Sequence, residues 1–233
     1  MRYNTKNLGT GFLYFYVHFV TEVICFFALG KYVESTPVMW MIMLAYDMLA
    51  FVPQSVIGYI NDKFPKVQFG IPGLILLALA LFLQNTVPLA FLSLTVLCIG
   101  NALVHVNGAV VTLKTSGGSL SHSAIFVSGG SFGVLCGKLL SGTAIPYQLL
   151  FIPILSAIPF AFLAQMYLKD CDSRPCRAFR YSNEKVSKYL VIFLAVFVVA
   201  IRGYMAYGIP TSWNKTTLQT VLLFVFMGTC RNY

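Results

Sequence analysis

Charge is scarce in this sequence. Asp, Glu, Lys and Arg together make up 10% of the 233 residues, only seven residues are acidic, and 58% are apolar. Soluble domains carry about a quarter charged residues, so an ordinary water-soluble enzyme or binding module is excluded. Histidine is scarcer still, with three in the chain, and they form neither an HExxH motif nor a clustered histidine box. The six cysteines build no disulfide framework. Cys25, Cys98, Cys136 and Cys230 fall in apolar runs, where a small buried thiol is the ordinary reading. Cys171 and Cys176 share a basic loop, but two thiols without a nearby histidine make no zinc site. The first apolar run is too long for a signal-peptide core and carries His18 and Glu22 in its middle, so it reads as a spanning helix.

What the chain does have is long apolar runs. A spanning helix needs about 20 mostly apolar residues, and eight such segments can be drawn, at 11–33, 37–61, 67–85, 88–113, 122–143, 146–168, 188–209 and 212–229. The fold class expected is an all-α polytopic membrane bundle. Basic residues gather in cytoplasmic loops. With the amino terminus inside, twelve of the sixteen Lys and Arg residues fall on the cytoplasmic side, among them Lys63, Lys66, Lys114 and the basic segment 169–188. The net charge of +9 is thus a matter of membrane orientation rather than of nucleic-acid binding. The orientation expected is multi-pass in the cell membrane, with a cytoplasmic amino terminus.

Against that apolar background the polar residues inside spans stand out. A charge at the bilayer centre costs about 2.5–3.5 kcal/mol on insertion scales, so such residues face a bundle interior or a water cavity. His18 and Glu22 are four residues apart and share one face of helix one, as Asn101 and His105 share one face of helix four. A carboxylate and two imidazoles inside spans suit proton exchange. The plainer alternatives stay open: His18 bonding a helix carbonyl, and Asn101 and His105 serving as interhelical glue. Asp47 sits mid-span in helix two, where coupling or simple pairing fits. Lys138 and Arg202 lie near the outer face, where long cationic side chains snorkel.

The short charged turn "GYINDKFPK" interrupts two apolar runs on the expected cytoplasmic side, between helices two and three. It resembles the signature of the major facilitator superfamily of secondary transporters. Gly58, Asp62, Lys63 and Lys66 match, while Pro65 stands where a second glycine is usual. The role implied is a gate latch: Gly58 allows close helix approach, and Asp62 meets a helix N-terminus or a basic partner. "HFVTE" at 18–22, "GNALVHVNG" at 100–108, "FVSGGSFGVLCGKLLSG" at 126–142 and "AIRGYMAYGIPTSW" at 200–213 resemble stretches of the fosmidomycin-resistance branch. Val106 and Asn107 replace that branch's proline and acid, and Lys138 takes the place of a common proline.

The resemblance implies a six-helix amino-terminal half at 1–168, a cytoplasmic linker at 169–188, and the first two helices of a second half at 189–233. Substrate and protons would bind at His18, Glu22, Asp47, Asn101 and His105, with Arg202 a further site on helix seven. The function expected is proton-coupled movement of a small molecule, most simply efflux by proton antiport, with no cofactor or bound metal. The partners expected are lipid, the small-molecule substrate and protons. The remaining four helices of the resembled fold are expected on a longer product or a separate chain. Two rivals remain at this point: a membrane-embedded enzyme using His18, His105 and Glu22 as metal ligands, and a non-transporting protein on the same scaffold.

Overall fold

A backbone surrounded by hydrocarbon must satisfy its own N–H and C=O groups, and a helix does so within one segment. In the computed structural model the apolar runs accordingly fold as helices. The structure describes residues 8–34, 39–64, 67–84, 90–116 and 120–169, with the helical positions Phe193 and Phe197. These comprise α1 (Leu8–Glu34), α2 (Met39–Lys63), α3 (Gly70–Leu83), α4 (Ala90–Thr115), α5 (Leu120–Ser141) and α6 (Phe151–Lys169), with a 3-10 turn at Tyr147–Leu150 leading into α6. Among the described residues there is no strand. Among the described residues, five helices are long and apolar enough to cross a membrane, which is the make-up of a multi-pass membrane protein. The linker at 169–188, nearly all of the expected helices seven and eight, Lys66 and Arg202 lie outside the described residues.

The third expected span is shorter than its apolar run. Val67–Phe69 is not helical, and α3 covers 14 residues, or about 21 Å at 1.5 Å per residue, against a hydrocarbon core of about 30 Å. Pro72 sits in its first turn, where a missing N–H costs least. No side chain of Phe69 caps that helix; the Phe69 N–H instead donates to Asn107 Oδ1 of α4 at 3.1 Å. Pro53 and Pro159 fall inside α2 and α6. Next to Pro53, Gln54 Nε2 donates back to the Ala50 carbonyl at 3.0 Å.

The most enclosed helix is α1. About 72% of its spanning window is buried, against 17% for α2. It packs against α4, α5 and α6, while α2 and α3 pack on α4. Two of these crossings are set by glycine. On α5, Gly129, Gly133 and Gly137 recur every fourth residue, and a Cβ at each would lie within 3.0 Å of the carbonyl oxygens of Phe15, Phe19 and Val23, which recur every fourth residue on α1. Small residues at that spacing let membrane helices touch backbone to backbone. Gly73 and Gly100 make the same contact between α3 and α4, each carbonyl oxygen 2.9 Å from where the other's Cβ would be.

Candidate functional site

The α5 glycine ridge shapes the interior of the bundle. Next to it Gly130 leaves the space that the His18 imidazole fills, since a Cβ there would lie within 3.0 Å of three ring atoms. One turn earlier on α5, the Phe126 ring stacks on His18 with centroids 4.4 Å apart and planes 25° from parallel. Its carbonyl oxygen is 2.8 Å from His18 Nδ1. A carbonyl only accepts, so Nδ1–H is the donor. His105 is held in the same way, its Nδ1–H donating to the Asn101 carbonyl one turn back on α4 at 3.0 Å.

Those two bonds decide what faces the centre. A neutral imidazole with its hydrogen on Nδ1 presents a bare lone pair on Nε2. The two Nε2 atoms lie 2.9 Å apart, and Glu22 Oε1 lies 3.2 Å from that of His105 and 3.6 Å from that of His18. Three acceptor atoms therefore converge with no hydrogen among them unless a ring gains one. Such a cluster is stable only around a cation, and one proton on either Nε2 converts the 2.9 Å contact into a charge-assisted hydrogen bond. His18 and Glu22 are buried, while the His105 side chain is 18% exposed.

The structure brings together His18, Glu22 and His105. Asn101 joins through its backbone carbonyl, and its side-chain Nδ2 donates instead to the Tyr46 hydroxyl of α2. Asp47 is half-buried on α2 and outside the cluster. Asp62 and Lys63 are exposed at the end of α2, with Lys63 Nζ 5.7 Å from the Phe64 ring centroid. At Gly58 a Cβ would meet nothing within 4 Å, so the close approach expected of that glycine is not made to any described residue. Lys138 is half-buried with its Nζ over the Phe26 ring at 5.4 Å.

Three features were not foreseen from the sequence. Phe126 supplies both the lid on His18 and the acceptor that sets its tautomer. Asn107, noted only as a replacement for an acid, is buried and ties α4 to α1, α6 and the residue before α3: Oδ1 accepts from the Phe69 N–H and from Gln165 Nε2 of α6 at 3.5 Å, and Nδ2 donates to the Tyr14 hydroxyl of α1. The string Gly-Gly-Ser-Phe-Gly at 129–133 has the letters of a hydrolase nucleophile elbow. It lies in mid-helix rather than at a strand-to-helix turn, so it lacks the context that motif needs. A separate pocket of about 350 Å³, lined by Phe19, Val20, Val23, Leu139, Leu140 and neighbouring residues, contains none of the candidate residues. Compared with protein-family models, curated proteins and solved structures, the chain matches none.

Proposed function

We propose that this chain is a secondary transporter of the major facilitator type, related to the fosmidomycin-resistance branch. It lies in the cell membrane with a cytoplasmic amino terminus and couples the movement of a small molecule to protons. One observation carries this reading: His18 Nε2, His105 Nε2 and Glu22 Oε1 converge within 3.6 Å between α1 and α4 with both Nδ1 atoms already committed to carbonyls. A proton is the smallest cation that relieves the cluster, and losing it restores repulsion between two separate helices. Proton occupancy is thereby tied to how α1 sits against α4, and such a differential between two conformations is what coupling requires. The Gly58, Asp62 and Lys63 turn would latch one of those conformations from the cytoplasmic side.

The test is flux in vesicles with fosmidomycin as the probe and an imposed pH gradient. Assembled with the remaining helices that the resemblance implies, on a longer product or a separate chain, the wild-type protein should move the probe in response to the gradient. Glu22→Gln keeps the shape and removes the carboxylate, so gradient dependence should fall at least tenfold, while binding of the probe changes less. Gradient-driven flux that survives in Glu22→Gln would remove the carboxylate from coupling.

A further inference from the structure

We infer that the His18–Glu22–His105 cluster is also a binding site for a divalent first-row transition metal of the zinc type, held by His18 Nε2, His105 Nε2 and Glu22 Oε1. The inference rests on the geometry of the cluster and stands whether or not the chain moves a proton-coupled substrate.

Zinc takes imidazole nitrogen and carboxylate oxygen at about 2.0–2.2 Å, in near-tetrahedral sites where neighbouring donor atoms lie about 3.3 Å apart. The three sides of this cluster are 2.9, 3.2 and 3.6 Å, which bracket that spacing. The circle through the three atoms has a radius of about 1.9 Å. An ion about 2.0–2.1 Å from each donor sits somewhat less than 1 Å out of their plane, where a tetrahedral ion sits above three of its ligands. The fourth corner is then left to water or to an anionic group of a substrate, as in zinc sites with three protein ligands.

The surroundings match as well. A metal-binding histidine usually donates its other ring N–H to a carbonyl or carboxylate, which sets the tautomer and aims the lone pair. Both histidines do so here, His18 to Phe126 and His105 to Asn101. The Phe126 ring covers His18, and Gly130 and Gly133 leave room for His18 and Glu22. Two neutral imidazoles and a carboxylate carry one negative charge between them, which a divalent ion more than offsets. Nitrogen and carboxylate donors favour zinc and its neighbours over magnesium or calcium, which prefer all-oxygen shells. The thiols of Cys25 and Cys98 are buried, and neither belongs to the group of potential ligands formed by His18, Glu22 and His105.

The experiment uses the full 233-residue chain, purified in detergent, with Cys171→Ser and Cys176→Ser to remove those two thiols. Cobalt(II) serves as the spectroscopic stand-in for zinc. The expected result is one cobalt per chain, giving the strong visible bands of four-coordinate cobalt without a near-ultraviolet thiolate charge-transfer band, and displaced by zinc. Glu22→Gln and His105→Gln should each weaken binding by at least about tenfold, in line with the 10–100-fold that even an outer partner of a ligand is worth. Absence of cobalt binding at submillimolar concentration would overturn the proposal. So would a thiolate band, or unchanged affinity in both variants. Should the variants not fold, the stoichiometry and spectrum of the parent protein decide alone.

Discussion

Asn107 and Glu22 are buried polar residues of different legibility. Glu22 announces itself because a carboxylate in an apolar run carries a large cost that only a partner or cavity offsets. Asn107 carries no charge, and its partners Tyr14, Phe69 and Gln165 come from distant parts of the chain, so nothing local marks it. His18 had two rival readings, a helix carbonyl or a proton site. A ring with two nitrogens permits both, with Nδ1 on Phe126 and Nε2 toward His105. The residue-scale prediction concerns Asn107→Leu, which keeps the branched outline of the side chain, strips the Phe69 N–H of its partner and removes one of the Tyr14 hydroxyl's partners. An unsatisfied buried group costs about 1–3 kcal/mol, so the thermal midpoint in detergent should fall by at least about 2–4 °C. A variant as stable as the parent would mean that those bonds contribute nothing.

At the scale of elements, the glycine richness of α5 was plain in the sequence, but not which helix it meets. That follows only when Gly129, Gly133 and Gly137 are set against the carbonyls of Phe15, Phe19 and Val23. The long apolar run at 67–85 likewise hid the short extent of α3, because apolarity alone does not mark where Phe69 leaves helical pairing to bond Asn107. Two glycines make contrasting predictions. Gly133→Val pushes a side chain against the Phe19 carbonyl and Glu22 Cβ, and overpacking of this kind costs about 1–3 kcal/mol or more. Gly58→Ala adds a methyl where nothing lies within 4 Å of a helical position, so it should not destabilise, and alanine's helix preference over glycine should add about 0.5–1 kcal/mol. Unfolding midpoints of the two variants, measured side by side, check the pair. Equal stability would mean that α1 and α5 do not cross on that ridge.

For the whole molecule, helicity and membrane character were legible because 58% apolar residues in repeated runs leave few other folds open. Packing was not, since nearly uniform hydrophobicity says little about which face of a helix meets another. The orientation proposed from the basic bias predicts that an impermeant thiol reagent added to intact cells will miss Cys171 and Cys176; labelling of either from outside would reverse the topology. The central claim is that the bundle holds α1 against α4 around a cation shared by two histidines and a glutamate. The most direct measurement is the nitrogen-15 spectrum of histidine-labelled protein, which is tractable because the chain has only three histidines and His122→Asn leaves two. The account predicts that, without metal, both Nδ1 atoms carry hydrogen and one proton is shared between the Nε2 atoms, seen as a coupling across the hydrogen bond that disappears in His105→Gln. Two independent imidazoles with hydrogen on Nε2 and none on Nδ1 would contradict it.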